Sequence, residues 1–171
     1  MCGLCAKSGH IVSADRQRVY VDTNAFIVAF ETTGVDSDAM KPLLNASLQG
    51  RLSLLTSELT LAEVLVVPER TGNVMLMRAY KQALIWSRAV ELVPVSRDVL
   101  IETSQYRAHA GQADVENAVR RNFLPDSIHA VTAVRSGCAS FLANDKRIRL
   151  PNGIVRIPPR APAIHELLNQ T

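Results

Sequence analysis

Short apolar runs, each followed by a stretch with helical spacing, constrain this chain more than any other feature. Arg18–Asp22, Leu52–Thr56, Glu91–Val95 and Ala139–Ala143 are such runs, and Val155–Ile157 can supply a fifth. Helical patterns fill the gaps between the first four. A helix between two strands returns the chain to the edge it started from, so the strands it joins lie parallel. The expected fold class is therefore α/β. It is a three-layer α/β/α sandwich with a mostly parallel central sheet of four to five strands and helices on both faces.

Local signals suggest where the helices lie. One is expected over Thr23–Glu31. A second should be capped by Ser37 or Asp38, hold Pro42 in its first turn and end near Gly50. A third should run from Ser57 to Val67 and stop at Pro68. Further helices are expected over Asn73–Arg88, from Ser96 to about His109, and from Pro125 to near Gly137. Aromatics are only 5% of the chain, so its core must be mostly Leu, Val, Ile and Ala.

A length of 171 residues fits one domain, expected over residues 18–171. The mixed, polar residues 1–17 are expected to form a flexible arm. Cys2 and Cys5 make a lone CxxC with His10 nearby. A structural zinc site needs four ligands and there is no second pair, so exposed thiols on that arm are the plainer reading. Three cysteines cannot all pair, which favours a reducing, cytoplasmic setting. No apolar run approaches a membrane span, and no signal pattern opens the chain.

The chemistry lies in four acids. In open α/β sheets, sites form beyond the carboxyl ends of the strands. Asp22 ends the first run. Glu63 lies one to two turns into the helix after the second, where it interrupts an apolar stretch. Asp126 opens a later helix and Asp145 follows the fourth run. Each has a simple alternative: Asp22 and Asp126 as helix caps, Asp145 as a turn residue, Glu63 as an exposed helix position. Taken together the four map to one sheet edge. Four carboxylates there would repel, and a cation would hold them. All-oxygen ligation suits Mg²⁺ or Mn²⁺ better than Zn²⁺. The histidines are scattered, and His129, one turn after Asp126, is expected to pack or hydrogen-bond rather than ligate.

The segments "VDTNAFI", "TSELTLAEVL", "LPDSIHAVTA" and "LANDKRI" carry these acids in order. Together they resemble the PIN-domain ribonucleases, and within them the toxin half of VapBC-type bacterial toxin–antitoxin pairs. The resemblance covers about Arg18 to Ile157. It implies that Asp22, Glu63, Asp126 and Asp145 are the catalytic, metal-binding acids, supported by Thr23 and Asn24. It implies an Mg²⁺- or Mn²⁺-dependent endoribonuclease leaving a 5′-phosphate and a 3′-hydroxyl. It also implies an antitoxin partner, and a homodimer is expected beside it. Ala143 stands where such proteins often have Thr or Ser, and the polar insertion Ala110–Asn122 is long for them.

Net charge is +3, but residues 135–160 hold six basic side chains and one acid. Lys146, Arg147 and Arg149 are placed to grip an RNA backbone; the plain alternative is a solvated basic turn. Met75, Met77, Tyr80 and Trp86 could form a docking or dimer face, although such spacing more often marks core. Two other functions compete. A phosphoacceptor receiver domain needs paired acids after the first strand, where this chain has Asp-Thr-Asn. A catalytically silent PIN-like module binding RNA or protein is the stronger alternative, and a metal-dependent cleavage assay separates it from the nuclease.

Overall fold

The computed structural model describes residues 16–110, 124–146 and 148–171. Cys2, Cys5 and His10, nearly all of the expected arm, the insertion beyond Ala110, and Arg147 lie outside the described residues.

The strands are β1 (Arg18–Val21), β2 (Ser53–Ser57), β3 (Val90–Val93), β4 (Ser140–Leu142) and β5 (Val155–Ile157). They form one sheet in the order β3-β2-β1-β4-β5, and every neighbouring pair is parallel. From β1 the chain steps outward through β2 to β3, then crosses to the other side of β1 for β4 and β5. The order therefore reverses between β1 and β4. There β1 leads into a helix that starts at Thr23, while β4 leads on to β5, and in open α/β sheets sites form at the carboxyl edge beside such a reversal.

Period-two alternation along each strand builds the two faces of the sheet. Val19, Val21, Leu54 and Leu142 point to one core. It is filled by α1 (Thr23–Glu31), α2 (Val35–Leu48), α3 (Leu59–Val64), α5 (Val74–Lys81) and α8 (Ala161–Asn169), through Phe26, Met40, Leu43, Val64, Tyr80 and Ile164. Tyr20, Leu55 and Phe141 point to the other face, with Ala133 and Cys138. There α6 (Arg97–Ala110) and α7 (Leu124–Arg135) pack through Val99, Ile128 and Val131. Tyr20 and Phe141 stack with ring centroids 4.9 Å apart. Each such fully buried side chain contributes roughly 1.5–3 kcal/mol relative to exposure.

Proline separates the observed helices from the expected ones. Gly34, at φ 117°, precedes α2, so Ser37 and Asp38 lie inside its first turn rather than capping it. Pro42 falls in the helix interior. Pro68 does not stop a helix. It lies in the first turn of α4 (Val66–Thr71), where a missing N–H is harmless. The expected 57–67 helix is thus two helices joined at Leu65, and Ser57 Oγ accepts from Leu59 N at 3.2 Å at its start. The π-helical turn Gln82–Trp86 continues α5. The sequence reading missed α8, which Pro162 opens. Among the described residues, no helix is long and apolar enough to cross a membrane.

Candidate active site

Asp22 is the first residue past β1. Its N–H donates to Leu142 O at 3.0 Å, which ties the end of β1 to the end of β4 at the switch point. Its Oδ2 accepts from Asn24 N at 3.3 Å, so it does cap α1. It is also only 6% exposed. Burial raises its carboxyl above the ordinary value, and the charges of Glu63 and Asp126 add to that rise, against the pull of His129 and the Asn24 N–H. Glu63 and Asp126 are therefore both within electrostatic reach of Asp22.

Glu63 projects from α3 and its Oε2 is held twice. Thr23 Oγ1 donates to it, and His129 Nε2 lies 2.9 Å away. Burial pushes this carboxyl up. The hydrogen bonds from His129 and Thr23, with the His129 charge, outweigh burial and hold it below its ordinary value. Behind it, Thr56 and Thr60 share a hydrogen bond of 2.8 Å, and Thr56 Oγ1 donates to Val21 O at 2.7 Å. These threonines lock the β2–α3 junction against the end of β1.

Asp126 lies in the first turn of α7, half-buried, where a carboxylate also suits the helix dipole. Asp145 is half-buried in the segment after β4, beside β1. That segment is held in shape by Arg156, whose guanidinium donates to the carbonyls of Asp145 and Ile148. Lys146 and Arg149 are exposed on the same segment, and Tyr106 Oη donates to Arg149 O. Among the described residues, no three His, Cys, Asp or Glu side chains stand close enough to form a ready cage for a metal ion. Asn24 Oδ1 is buried and finds no hydrogen-bond partner among them.

The sequence reading did not foresee the part played by Tyr20. Ser57 N donates to Tyr20 Oη at 2.9 Å, and Tyr20 Oη lies 2.7 Å from His129 Nδ1. A signal was available: a buried phenol between two valines must find polar partners. His129 stands three residues after Asp126, one turn along the same helix face.

This arrangement of strands and helices has known counterparts. Residues 19–152 match the family model of the PIN domain. The chain belongs to the PIN-domain family. No curated protein matches it in sequence. Among solved structures, this PIN domain is similar to a chain of a toxin–antitoxin complex from Klebsiella pneumoniae, with 20% identity, 80% of this chain and 95% of that one covered, and TM-score 0.56. It is similar to VapC20 of Mycobacterium tuberculosis, a sarcin–ricin loop cleaving toxin, with 16% identity, 75% and 90% covered, and TM-score 0.55. It is also similar to a chain of VapBC2 from Rickettsia felis bound to a DNA fragment from their promoter, with 14% identity, 82% and 97% covered, and TM-score 0.52. At these identities the likeness concerns the fold of the PIN domain.

Proposed function

We propose that this PIN domain is an Mg²⁺- or Mn²⁺-dependent endoribonuclease and the toxin of a toxin–antitoxin pair. The observation that carries the proposal is Asp22, buried at the switch point with its carboxyl raised by burial and by the charges of Glu63 and Asp126. A cation relieves that cost. The donor set fits a hard ion: every candidate ligand is a carboxylate oxygen. Mg²⁺ commonly takes one or two carboxylates, keeps several waters and adds substrate phosphate, so it needs no complete protein cage.

In this reading Asp22 and Asp126 would hold the ion, with Asp145 joining them from the segment after β4. Both hydrogen bonds to Glu63 fall on Oε2, so Oε1 is the oxygen we assign to the ion or to the attacking water. Thr23 fixes Glu63, and Asn24 supports the site through its amide. When bound, the ion lowers the pKa of water and neutralises charge on the scissile phosphate. Lys146 and Arg149 grip the flanking backbone. The phosphodiester is cut to a 5′-phosphate and a 3′-hydroxyl. Antitoxin binding, a homodimer, a cytoplasmic location and a single domain over residues 18–171 belong to the same proposal. The ribosomal loop cut by the Mycobacterium tuberculosis toxin is one RNA to try, beside transfer and messenger RNA.

The test is cleavage of cellular RNA by the purified chain, with end mapping. Asp22→Asn and Asp126→Asn should abolish cleavage and relieve growth inhibition while the proteins stay folded. Excess EDTA should stop the wild type and Mn²⁺ should restore it. Full activity in either folded variant overturns the site, and undiminished cleavage in chelator overturns the metal mechanism. A folded wild type that binds RNA but never cuts it is the silent module.

A further inference from the structure

A row of hydrogen bonds runs through the core to Glu63. Ser57 N–H donates to Tyr20 Oη, Tyr20 Oη meets His129 Nδ1 at 2.7 Å, and His129 Nε2 meets Glu63 Oε2 at 2.9 Å. Tyr20 is fully buried and His129 is 1% exposed. Water therefore does not set the proton positions; the partners do.

Tyr20 Oη accepts from Ser57 N and also has Thr56 as a hydrogen-bond partner, and it braces the ring at Nδ1. A ring that accepts at Nδ1 carries its proton on Nε2, and a protonated ring carries one there as well. That proton points at the Glu63 carboxylate. The other neutral tautomer would set a bare Nε2 against Oε2 at 2.9 Å, two lone pairs facing each other.

We infer that His129 is a positioning residue for the metal site, braced by Tyr20, which ties back Glu63 Oε2 and leaves Oε1 turned toward the ion. The inference rests on the nuclease reading, with Glu63 as a ligand. Partners that orient a ligand in this way are commonly worth 10–100-fold in metal affinity.

The test titrates Mn²⁺ into the RNA-free protein and follows free ion by electron paramagnetic resonance. His129→Leu removes both bonds. His129→Gln can keep both, since its amide oxygen accepts from Tyr20 and its NH₂ donates to Glu63. The Leu variant should bind Mn²⁺ about tenfold more weakly or worse, and the Gln variant should recover most of the loss. In a Glu63→Gln background, His129→Leu should cost nothing further. With RNA, the Leu variant should lose kcat with KM little changed. Wild-type affinity in His129→Leu overturns the inference, and so does an equal loss in the Glu63→Gln background, which would mean general damage. Should His129→Leu fail to fold, Tyr20→Phe decides. It keeps the ring on Phe141 and removes only the hydroxyl. A threefold to tenfold loss of Mn²⁺ affinity is then expected, and no loss overturns the proposal. A wild type that binds no Mn²⁺ removes the nuclease reading itself, a result distinct from all of these.

Discussion

Asp22 has two tasks that an Asn could share only in part. It caps α1, and Asn caps about as well as Asp. It also carries a charge that burial and two neighbouring acids make costly. Its folded pKa lies above the ordinary 3.8, so the group destabilises the metal-free protein at neutral pH. That cost fades as pH falls through the folded value toward the unfolded one. Asp22→Asn should therefore raise Tm in EDTA at pH 7 while abolishing cleavage, and the gain should shrink toward pH 4. About 1 kcal/mol corresponds to roughly 2–4 °C at this chain length. A lower Tm for the variant in EDTA would make Asp22 a structural cap first. Glu63 has the opposite sign. Its folded pKa is below the ordinary 4.5, so its stabilisation is complete above that value and lost as pH falls through the folded one. Glu63→Gln should lower Tm at pH 7 by roughly 1–2 kcal/mol worth of charged hydrogen bonds, and by much less near pH 3. Calorimetric scans of both variants across this range check the two signs. The four acids stand out in the sequence because Asp22 and Asp145 follow strands, Asp126 opens a helix and Glu63 interrupts an apolar stretch. Tyr20 does not, because a tyrosine between valines reads as core packing, and its partner lies 109 residues away.

At the scale of elements, α2 carries an internal proline that the sequence pattern placed at its start. Pro42 lies seven residues beyond Val35, so it cannot donate to Asp38 O and its ring crowds that carbonyl. It is exposed, so the ring gains little from packing. Pro42→Ala should stabilise the protein by roughly 1–2 kcal/mol, the helix gain of about 3 kcal/mol being offset by a freer unfolded chain. Urea unfolding midpoints measure this; a neutral or lower midpoint would mean that α2 accommodates Pro42 without that cost. Four strands and a mostly parallel sheet were readable from short apolar runs separated by helices, with Val155–Ile157 able to supply a fifth; all five strands run parallel. Helix ends were less readable, for one physical reason. Proline is accepted in the first turn of a helix and costly inside it, and spacing alone does not say which of these Pro42 and Pro68 occupy. The last helix was missed because "RAPAIHELLNQ" is short and follows two prolines, and its apolar face, Ala161, Ile164 and Leu167, gains meaning only against α2.

Across the whole molecule, the proposal places the acids and the exposed basic groups Lys146 and Arg149 along one edge of the sheet, and their separation would set how RNA is held. A net charge of +3 is too small to attract RNA to every face. Lys146 and Arg149 are exposed on the segment that carries Asp145, so a strand lying over the acids would pass them. Arg156 differs from both. Its guanidinium serves the carbonyls of Asp145 and Ile148, so it shapes the segment rather than reaching out from it. Two substitutions separate these roles. Lys146→Ala with Arg149→Ala should weaken binding to any single-stranded RNA and leave Mn²⁺ affinity and Tm unchanged. Each lost phosphate contact removes about 0.7 from the slope of log affinity against log salt, so the double variant should be shallower by roughly 1.4. Arg156→Ala should keep most of the slope, since its charge does not face RNA, but loosen Asp145 and lower kcat. Filter binding of a labelled RNA over a range of salt concentrations, with turnover measured on the same proteins, reads both effects. If the double variant keeps the wild-type slope, this basic edge faces away from the RNA, and the strand must cross the acids by another path. If Arg156→Ala flattens the slope as much as the double variant does, its charge reaches RNA after all, and the segment after β4 is a binding surface rather than a scaffold for Asp145.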